Sequence, residues 1–169
     1  MWHYFLVQEG DLSLITCRKM SAAEVPDAFR LLSAFLTGDE YYLASSKGYG
    51  DRGFHGLNDA LDHFLERPEL GFVWIAYEDN EAVGICVVCY AISTSMGSLV
   101  AKLDDVSVRE DRRGKGVGTE LLKQLRDQLR REAVTRIDIG VHRDNPVARR
   151  FYERHGFVAL NEERLACVI

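Results

Sequence analysis

The residues most able to do chemistry stand in one glycine-rich stretch, where Gly114, Gly116 and Gly118 alternate with other residues and follow Arg112 and Arg113. Glycine lets the backbone come close to a ligand, because no side chain stands in the way. An amphipathic helix is predicted to follow at once, and the free amides and the dipole at a helix N-terminus favour bound phosphate. The stretch therefore predicts a site for a ligand that carries a diphosphate.

Several kinds of glycine-rich site compete for this stretch. A P-loop needs Lys and then Ser or Thr after its last glycine, but Gly118 is followed by Thr119 and Glu120, which excludes it. A dinucleotide-binding fingerprint requires a glycine where this chain has Thr119, so that pattern is broken as well. A glycine-rich surface turn with solvated arginines is the simpler alternative.

The pattern that remains, Arg-x-x-Gly-x-Gly at residues 113–118, resembles the pyrophosphate loop of the GNAT superfamily of N-acetyltransferases. Residues 145–157 are similar to a later motif of that family, Asn-x-x-Ala-x-x-x-Tyr-x-x-x-Gly-Phe, without a departure. Asn145 is also a good N-cap, Pro146 suits the first helical position, and Gly156 suits a left-handed residue after the last turn. The resemblance covers residues 72–157.

The resemblance implies that acetyl-CoA is the co-substrate. Its pyrophosphate is expected on the backbone amides of residues 113–119, which we call the glycine loop. Its pantetheine arm is expected along the free edge of the strand before that loop. The residues implied to bind it are Val106, Ser107, Val108, Arg113, Gly114, Lys115, Gly116, Val117, Gly118, Thr119, Asn145 and Tyr152. Acetyl transfer in this family uses no metal, and the sequence suggests no metal site.

Direct attack on a thioester requires a neutral amine, whereas a lysine-like amine with a pKa near 10.4 is protonated at neutral pH. A carboxylate can remove that proton and attract a cationic substrate. Asp104 and Asp105 are the candidates, and alternation along a strand places them on opposite faces. We favour Asp104, because some members of the family have their proposed base near this position. Alternatively, either carboxylate only ties down a loop or an arginine.

Tyr152 matches the general acid of the family, and its phenol is protonated at neutral pH. The resemblance thus implies an N-acetyltransferase that moves the acetyl group of acetyl-CoA to a primary amine of a small cationic molecule in a ternary complex. A non-catalytic CoA-binding sensor and an enzyme that acetylates a protein N-terminus or lysine are the alternatives. The N-terminal helices and their loop are expected to select the acceptor, through an acidic and aromatic lip or as solvated loop residues: Asp39, Glu40, Tyr41, Tyr42 and Tyr49.

Composition predicts an ordinary soluble globule and a single domain over residues 1–169, with 47% hydrophobic residues. The net charge of −5 argues against general binding of nucleic acid. With neither a membrane-spanning apolar run nor a signal peptide, we expect a cytoplasmic protein. Cys86 and Cys89 have the spacing of a metal pair, but in a strand they point to opposite faces. Family members often form homodimers, although the sequence identifies no interface.

The elements that position these residues follow from hydrophobic periodicity and capping signals. The resemblance implies a fold that is α/β (α+β) and of the GNAT kind: a central mixed, mostly antiparallel twisted sheet of six to seven strands, flanked by helices, with splayed central strands. Strands are predicted over residues 12–18, 72–77, 82–92, 99–108 and 137–141, with a last one within 157–169. Helices are predicted over 22–36, which Ser21 and Glu24 cap as a capping box, over 57–66, directly after the glycine-rich stretch, and within the second motif from Asn145. Residues 37–56 are predicted to be a loop with at most one helical turn.

Overall fold

The computed structural model of the chain describes residues 14–160 and 162–169. Its five strands form one sheet in the order of the chain: β1 (Ile15–Lys19), β2 (Gly71–Glu78), β3 (Glu81–Ser93), β4 (Ser98–Val108) and β5 (Ile137–Ile139). The first four strands are antiparallel to their neighbours, and β5 runs parallel to β4. The mixed, mostly antiparallel sheet confirms the predicted fold class. The described residues form five strands where six to seven were predicted.

Helices cover both faces of this sheet. They are α1 (Val25–Gly38), α2 (Glu40–Tyr49), α3 (Gly53–Glu66), α4 (Val117–Arg131) and α5 (Pro146–Arg154). Trp74 and Val88 pack in the apolar cluster of α4, whereas Ile75 and Ile85 pack in the cluster of α1 and α3. Side chains that alternate along β2 and β3 therefore build two separate cores, which explains why these strands are almost uniformly apolar.

Local sequence signals set several element ends as predicted. Ser21 and Glu24 form a capping box at a 3₁₀ turn that leads into α1. The β2–β3 hairpin turns at Asp79 and Asn80, whose φ angles of 50° and 66° suit a two-residue hairpin turn. Gly156 has a φ of 81° after the end of α5, as the sequence predicts.

The prediction of a loop over residues 37–56 is wrong, because α2 and the start of α3 lie there. Asp39 caps α2 by accepting a hydrogen bond from the amide of Tyr42 at 2.8 Å. Gly50 ends the helix in a left-handed conformation with φ of 71°. Both capping signals are visible in the sequence, but α2 buries no residue and so lacks the apolar period that marks the other helices.

The prediction of a last strand within residues 157–169 is also wrong for the residues that the structure describes. Residues 157–160 and 162–169 pair with no strand. Instead, Val168 lies near the end of α2, where a side chain added at Gly50 would stand 3.2 Å from its methyl groups. Among the described residues, no helix is long and apolar enough to cross a membrane.

Candidate active site

The seam between β4 and β5 opens into a cleft of about 480 Å³. Only Ala101, Lys102 and Leu103 of β4 pair with β5, and the two strands then separate. We call this space the seam cleft. It is lined by Phe35, Asp39, Tyr41, Tyr42, Gly48, Tyr49, Leu103, Asp104, Asp105, Val106, Ile139, Gly140, Val141, His142, Asn145, Ala148, Tyr152, Arg164, Ala166, Cys167 and Val168. The separation confirms the splayed strands that the resemblance to the GNAT superfamily implies.

A β-bulge in β4 decides where its two carboxylates lie. Ser107 pairs with Ile85 and Asp104 with Val87, so two residues of β4 stand opposite one residue of β3. The backbone of Asp105 has a φ of 24°, which is uncommon for a residue other than glycine. The prediction that the two carboxylates point to opposite faces is wrong: the extra residue breaks the alternation, and both line the seam cleft.

The two carboxylates differ in their electrostatic surroundings. Asp104 forms ion pairs with Lys102 at 3.4 Å and with Arg164 at 3.5 Å. Burial, and next the charge of Asp104, raise the pKa of Asp105 from 3.8 to about 6. Asp104 thus has cationic partners, whereas Asp105 has the chemistry of a proton acceptor near neutral pH.

Helix α5 brings the two predicted residues of the second motif into the same cleft. The carboxamide oxygen of Asn145 accepts a hydrogen bond from the amide of Ala148 at 2.9 Å, which caps α5. Tyr152 is only 8% exposed, and its ring packs edge-on against Phe151 and Phe157. Burial raises the pKa of Tyr152, so its hydroxyl stays protonated.

The glycine loop lies beyond the end of β4 rather than in the lining of the seam cleft. Gly114 and Gly116 have φ angles of 73° and 85°, and the space where a Cβ would stand holds no atom within 4 Å. No side chain caps α4, which begins at Val117, so its first amides are available to a ligand. Gly118 packs against α5, since a Cβ there would meet the ring of Phe151 at 3.3 Å.

The basic residues of this region divide into two groups. Arg109 forms ion pairs with Asp111 at 2.6 Å and Glu81 at 3.1 Å, and Arg112 with Glu78 at 2.5 Å. The Nε of Arg113 instead donates to the carbonyl of Val108 at 3.1 Å, which ties the loop to the end of β4. Within the described residues, no carboxylate pairs with Arg113 or Lys115, so these two charges are the ones available to an anion.

A second cleft, of about 390 Å³, lies between α1, the α2–α3 turn and α3. We call it the helical cleft. It is lined by Leu36, Tyr42, Gly50, Asp51, Arg52, Gly53, Gly56, Leu57, Asp59, Ala60, His63 and Asp105. Its acidic residues Asp51 and Asp59 fall outside any motif of the sequence, so they were not predicted as site residues. Of the predicted lip, Glu40 lines neither cleft, whereas the other four residues line the seam cleft.

Val106, Asn145 and Tyr152 are the predicted binding residues that line the seam cleft, while Ser107, Val108 and the glycine loop do not. Cys86 packs in the α4 cluster and Cys89 against the opposite one, so they point to opposite faces as predicted. No group of three metal-binding side chains occurs in the described parts of the chain.

Comparison with known proteins identifies the family of this chain. The model of the acetyltransferase (GNAT) family matches residues 37–157. The chain is similar to an integron cassette protein from the mobile metagenome of Cole Harbour Salt Marsh, with 25% identity, a TM-score of 0.72 and 90% of each chain covered.

Two further solved structures are similar in fold. The ribosomal-protein-alanine N-acetyltransferase from Brucella melitensis biovar Abortus 2308 is 15% identical, with a TM-score of 0.71, and 92% of this chain and 99% of that one are covered. A predicted acetyltransferase from Clostridium acetobutylicum, solved with acetyl-CoA, is 16% identical, with a TM-score of 0.67 and coverage of 89% and 94%. At these identities, both matches show the shared fold.

Proposed function

This chain belongs to the acetyltransferase (GNAT) family, and from that premise we propose that it transfers the acetyl group of acetyl-CoA to a primary amine of a small cationic molecule. One observation carries the proposal. The seam cleft is lined by both a carboxylate suited to accept a proton, Asp105, and a protonated phenol, Tyr152. This cleft opens beside the strand that leads into the glycine loop.

The residues of the glycine loop fit the pyrophosphate of acetyl-CoA. The open space above Gly114 and Gly116 is what a close approach of phosphate to the backbone needs. The uncapped start of α4 supplies amides and a positive dipole end, and Arg113 and Lys115 supply charge. Beyond Leu103, the edge of β4 that faces β5 is free of strand pairing, and extended chains bind such an edge.

Asp105 is the residue we assign as the general base, in preference to Asp104. When bound, acetyl-CoA supplies the thioester carbon that the amine attacks. The carboxylate of Asp105 attracts the ammonium group and accepts a proton from its nitrogen. Its raised pKa favours proton transfer from the amine, while the carboxylate is still largely ionised at pH 7. Asp104 is engaged by Lys102 and Arg164, so its role is to hold this edge of the cleft.

Tyr152 is the residue we assign as the general acid. Its hydroxyl carries a proton that it can donate to the departing sulfur, and solvent then restores that proton. The neighbouring aromatic rings of Phe151 and Phe157 fix the orientation of the phenol. Asn145 positions α5, and with it Tyr152, by capping the first turn.

Incubation of the full chain with labelled acetyl-CoA and a panel of amines tests the function directly. We expect transfer of label to at least one small primary amine with a cationic group. Transfer only to a basic peptide would indicate a protein amine as acceptor. Tight binding of CoA without transfer to any member of the panel would contradict the enzyme and favour a sensor.

The glycine loop is tested by the Gly116→Glu variant. A carboxylate in the open space above Gly116 repels pyrophosphate, so CoA should no longer raise the melting temperature of the protein. Gly97→Glu is the matched control, because Gly97 also has a positive φ, of 62°, with no atom within 4 Å of an added Cβ, but lies in the β3–β4 turn. Protection by CoA that survives in Gly116→Glu would contradict the assignment of the loop.

A further inference from the structure

The seam cleft and the helical cleft meet at two residues, Tyr42 and Asp105, which are the lining residues that they share. Tyr42 comes from α2 and Asp105 from the bulge in β4, so one side chain from each layer forms the wall between them. Asp105 is the assigned base. A molecule that occupies the helical cleft therefore approaches this base beside Tyr42.

The ring of Tyr42 is held on two sides by other aromatic rings. Its centroid lies 5.6 Å from that of Phe35 on α1 and 6.1 Å from that of Tyr49 on α2. Its backbone amide donates to the carboxylate of Asp39 at 2.8 Å. Ring packing and the N-cap of α2 together give the phenol a defined direction.

The hydroxyl of Tyr42 keeps its proton at neutral pH. Burial, and next the interaction with the carboxylate of Asp51, raise the pKa of Tyr42 to about 12. Asp51 is itself fixed, because its carboxylate accepts from the amide of Gly53 at 2.6 Å. A phenol that turns its proton toward the carboxylate of Asp51 offers its oxygen lone pairs to a ligand, and these lone pairs accept hydrogen bonds from N–H groups.

The helical cleft suits a cation with an apolar stem. Leu36, Leu57 and Ala60 supply its apolar lining. Its three carboxylates outnumber its one arginine, Arg52, which is paired with Asp59 at 3.1 Å. The lining is therefore negative in sum, with a hydrophobic wall along which a hydrocarbon chain can pack.

We propose that Tyr42, with its hydroxyl proton turned toward Asp51, binds the ammonium group of the acceptor at the junction of the two clefts, while the helical cleft holds the aliphatic stem of that amine. The phenol oxygen accepts one N–H hydrogen bond, and Asp105 accepts the proton that leaves. Tyr42 also separates the clefts and so limits the width of the acceptor. This inference rests on the proposed function and assigns it a substrate class, aliphatic primary amines.

Steady-state kinetics of Tyr42→Phe and Asp51→Asn tests the hydroxyl. Loss of a hydrogen bond to a charged group corresponds to about a tenfold or larger rise in the KM of the amine. The dissociation constant of acetyl-CoA should stay within about twofold of the wild-type value. Tyr77→Phe is the matched control, because the hydroxyl of Tyr77 donates to the carboxylate of Asp27 at 3.1 Å, but Tyr77 lines neither cleft.

Tyr42→Ala tests the wall. Removal of the ring joins the clefts, so the ratio of kcat/KM for a bulky aromatic amine to that for a linear aliphatic amine should rise at least about fivefold. The inference is overturned if the amine KM of Tyr42→Phe matches that of Tyr77→Phe, or if the ratio for Tyr42→Ala stays unchanged. Wild-type protein that acetylates no amine would overturn the proposed function itself, and this inference with it.

Discussion

At the scale of single residues, Asp105 combines two unfavourable features. Its backbone lies in a region that favours glycine, and its carboxylate is largely buried beside Asp104. Such local costs persist where the surrounding structure enforces them, and they concentrate at functional sites. The strand pattern of β4 predicts both aspartates as neighbours on a strand. The bulge cannot be predicted from alternation, so the sequence does not show that both carboxylates line one cleft.

The raised pKa of Asp105 predicts a pH-dependent gain in stability for Asp105→Asn. The folded state holds the proton of Asp105 more tightly than the unfolded state, so the wild-type free energy of unfolding falls as pH rises from about 4 to above 6. A shift from 3.8 to about 6 corresponds to roughly 3 kcal/mol. Asparagine does not ionise, so it removes this pH-dependent loss of stability, and it tolerates a positive φ.

Urea unfolding at several pH values measures this effect. Between pH 4 and pH 7.5, the free energy of unfolding of Asp105→Asn should rise relative to that of the wild type. The variant should lose acetyl transfer at every pH. Asp104→Asn is the comparison, because Asp104 has two cationic partners. A constant difference between Asp105→Asn and the wild type across this range would contradict the burial of an ionised carboxylate.

Tyr152 is predicted to act on turnover rather than on binding. In Tyr152→Phe the ring keeps its contacts with Phe151 and Phe157, so the fold and the affinity for CoA should change little. Loss of the hydroxyl proton should lower kcat by about 10²-fold or more, the usual size of a general-acid contribution. Pre-steady-state and steady-state rates, with calorimetric CoA binding beside them, check this expectation; a fully active variant would remove the acid role.

At the scale of elements, Gly84 controls how closely α4 approaches the sheet. A Cβ at this position would stand 3.1 Å from Val117 and 3.2 Å from Leu121, so alanine pushes the start of α4 outwards. We expect Gly84→Ala to cost about 1–3 kcal/mol of stability, as overpacking does, and to weaken CoA binding, because Val117 is the first residue of α4.

Thermal and urea unfolding, with CoA titration of the folded variant, measure both effects. Gly38→Ala is the control, since an added Cβ at the end of α1 meets no atom within 4 Å and should leave stability almost unchanged or slightly higher. CoA affinity that is equal in the two variants would show that the position of α4 does not govern the loop.

The sequence predicted the elements in which buried apolar residues recur at a regular spacing. The strands of the sheet, α4 with its leucine stripe and the capped starts of α1 and α5 all follow from period and capping signals. Helix α2 was missed because it buries no residue, although Asp39 and Gly50 mark its ends. The prediction of a C-terminal strand was wrong for the described residues, because Val168 lies against the end of α2 and lines the seam cleft instead of pairing in the sheet.

At the scale of the whole molecule, the motifs predicted one half of the candidate site and left the other half unseen. Tyr152, Asn145 and the glycine loop stand in contiguous segments with fixed spacing, so the sequence displays them. The helical cleft draws on α1, the α2–α3 turn, α3 and the bulge of β4. Its residues meet only through tertiary packing, and no single stretch of sequence contains their arrangement.

Neighbouring strands of the sheet differ in how many residues they pair, and this difference affects how fast their backbone amides exchange. Strands β2 and β3 share eight residue pairs, whereas β4 and β5 share three. Amide hydrogen–deuterium exchange should therefore be slowest in β2 and β3, where it requires global unfolding, and faster in β5, where local opening suffices. Acetyl-CoA should slow exchange most in β4 and β5, because a ligand bound along the free edge of β4 holds these two strands together where few pairs join them. Equal slowing in every strand would show that the ligand binds elsewhere.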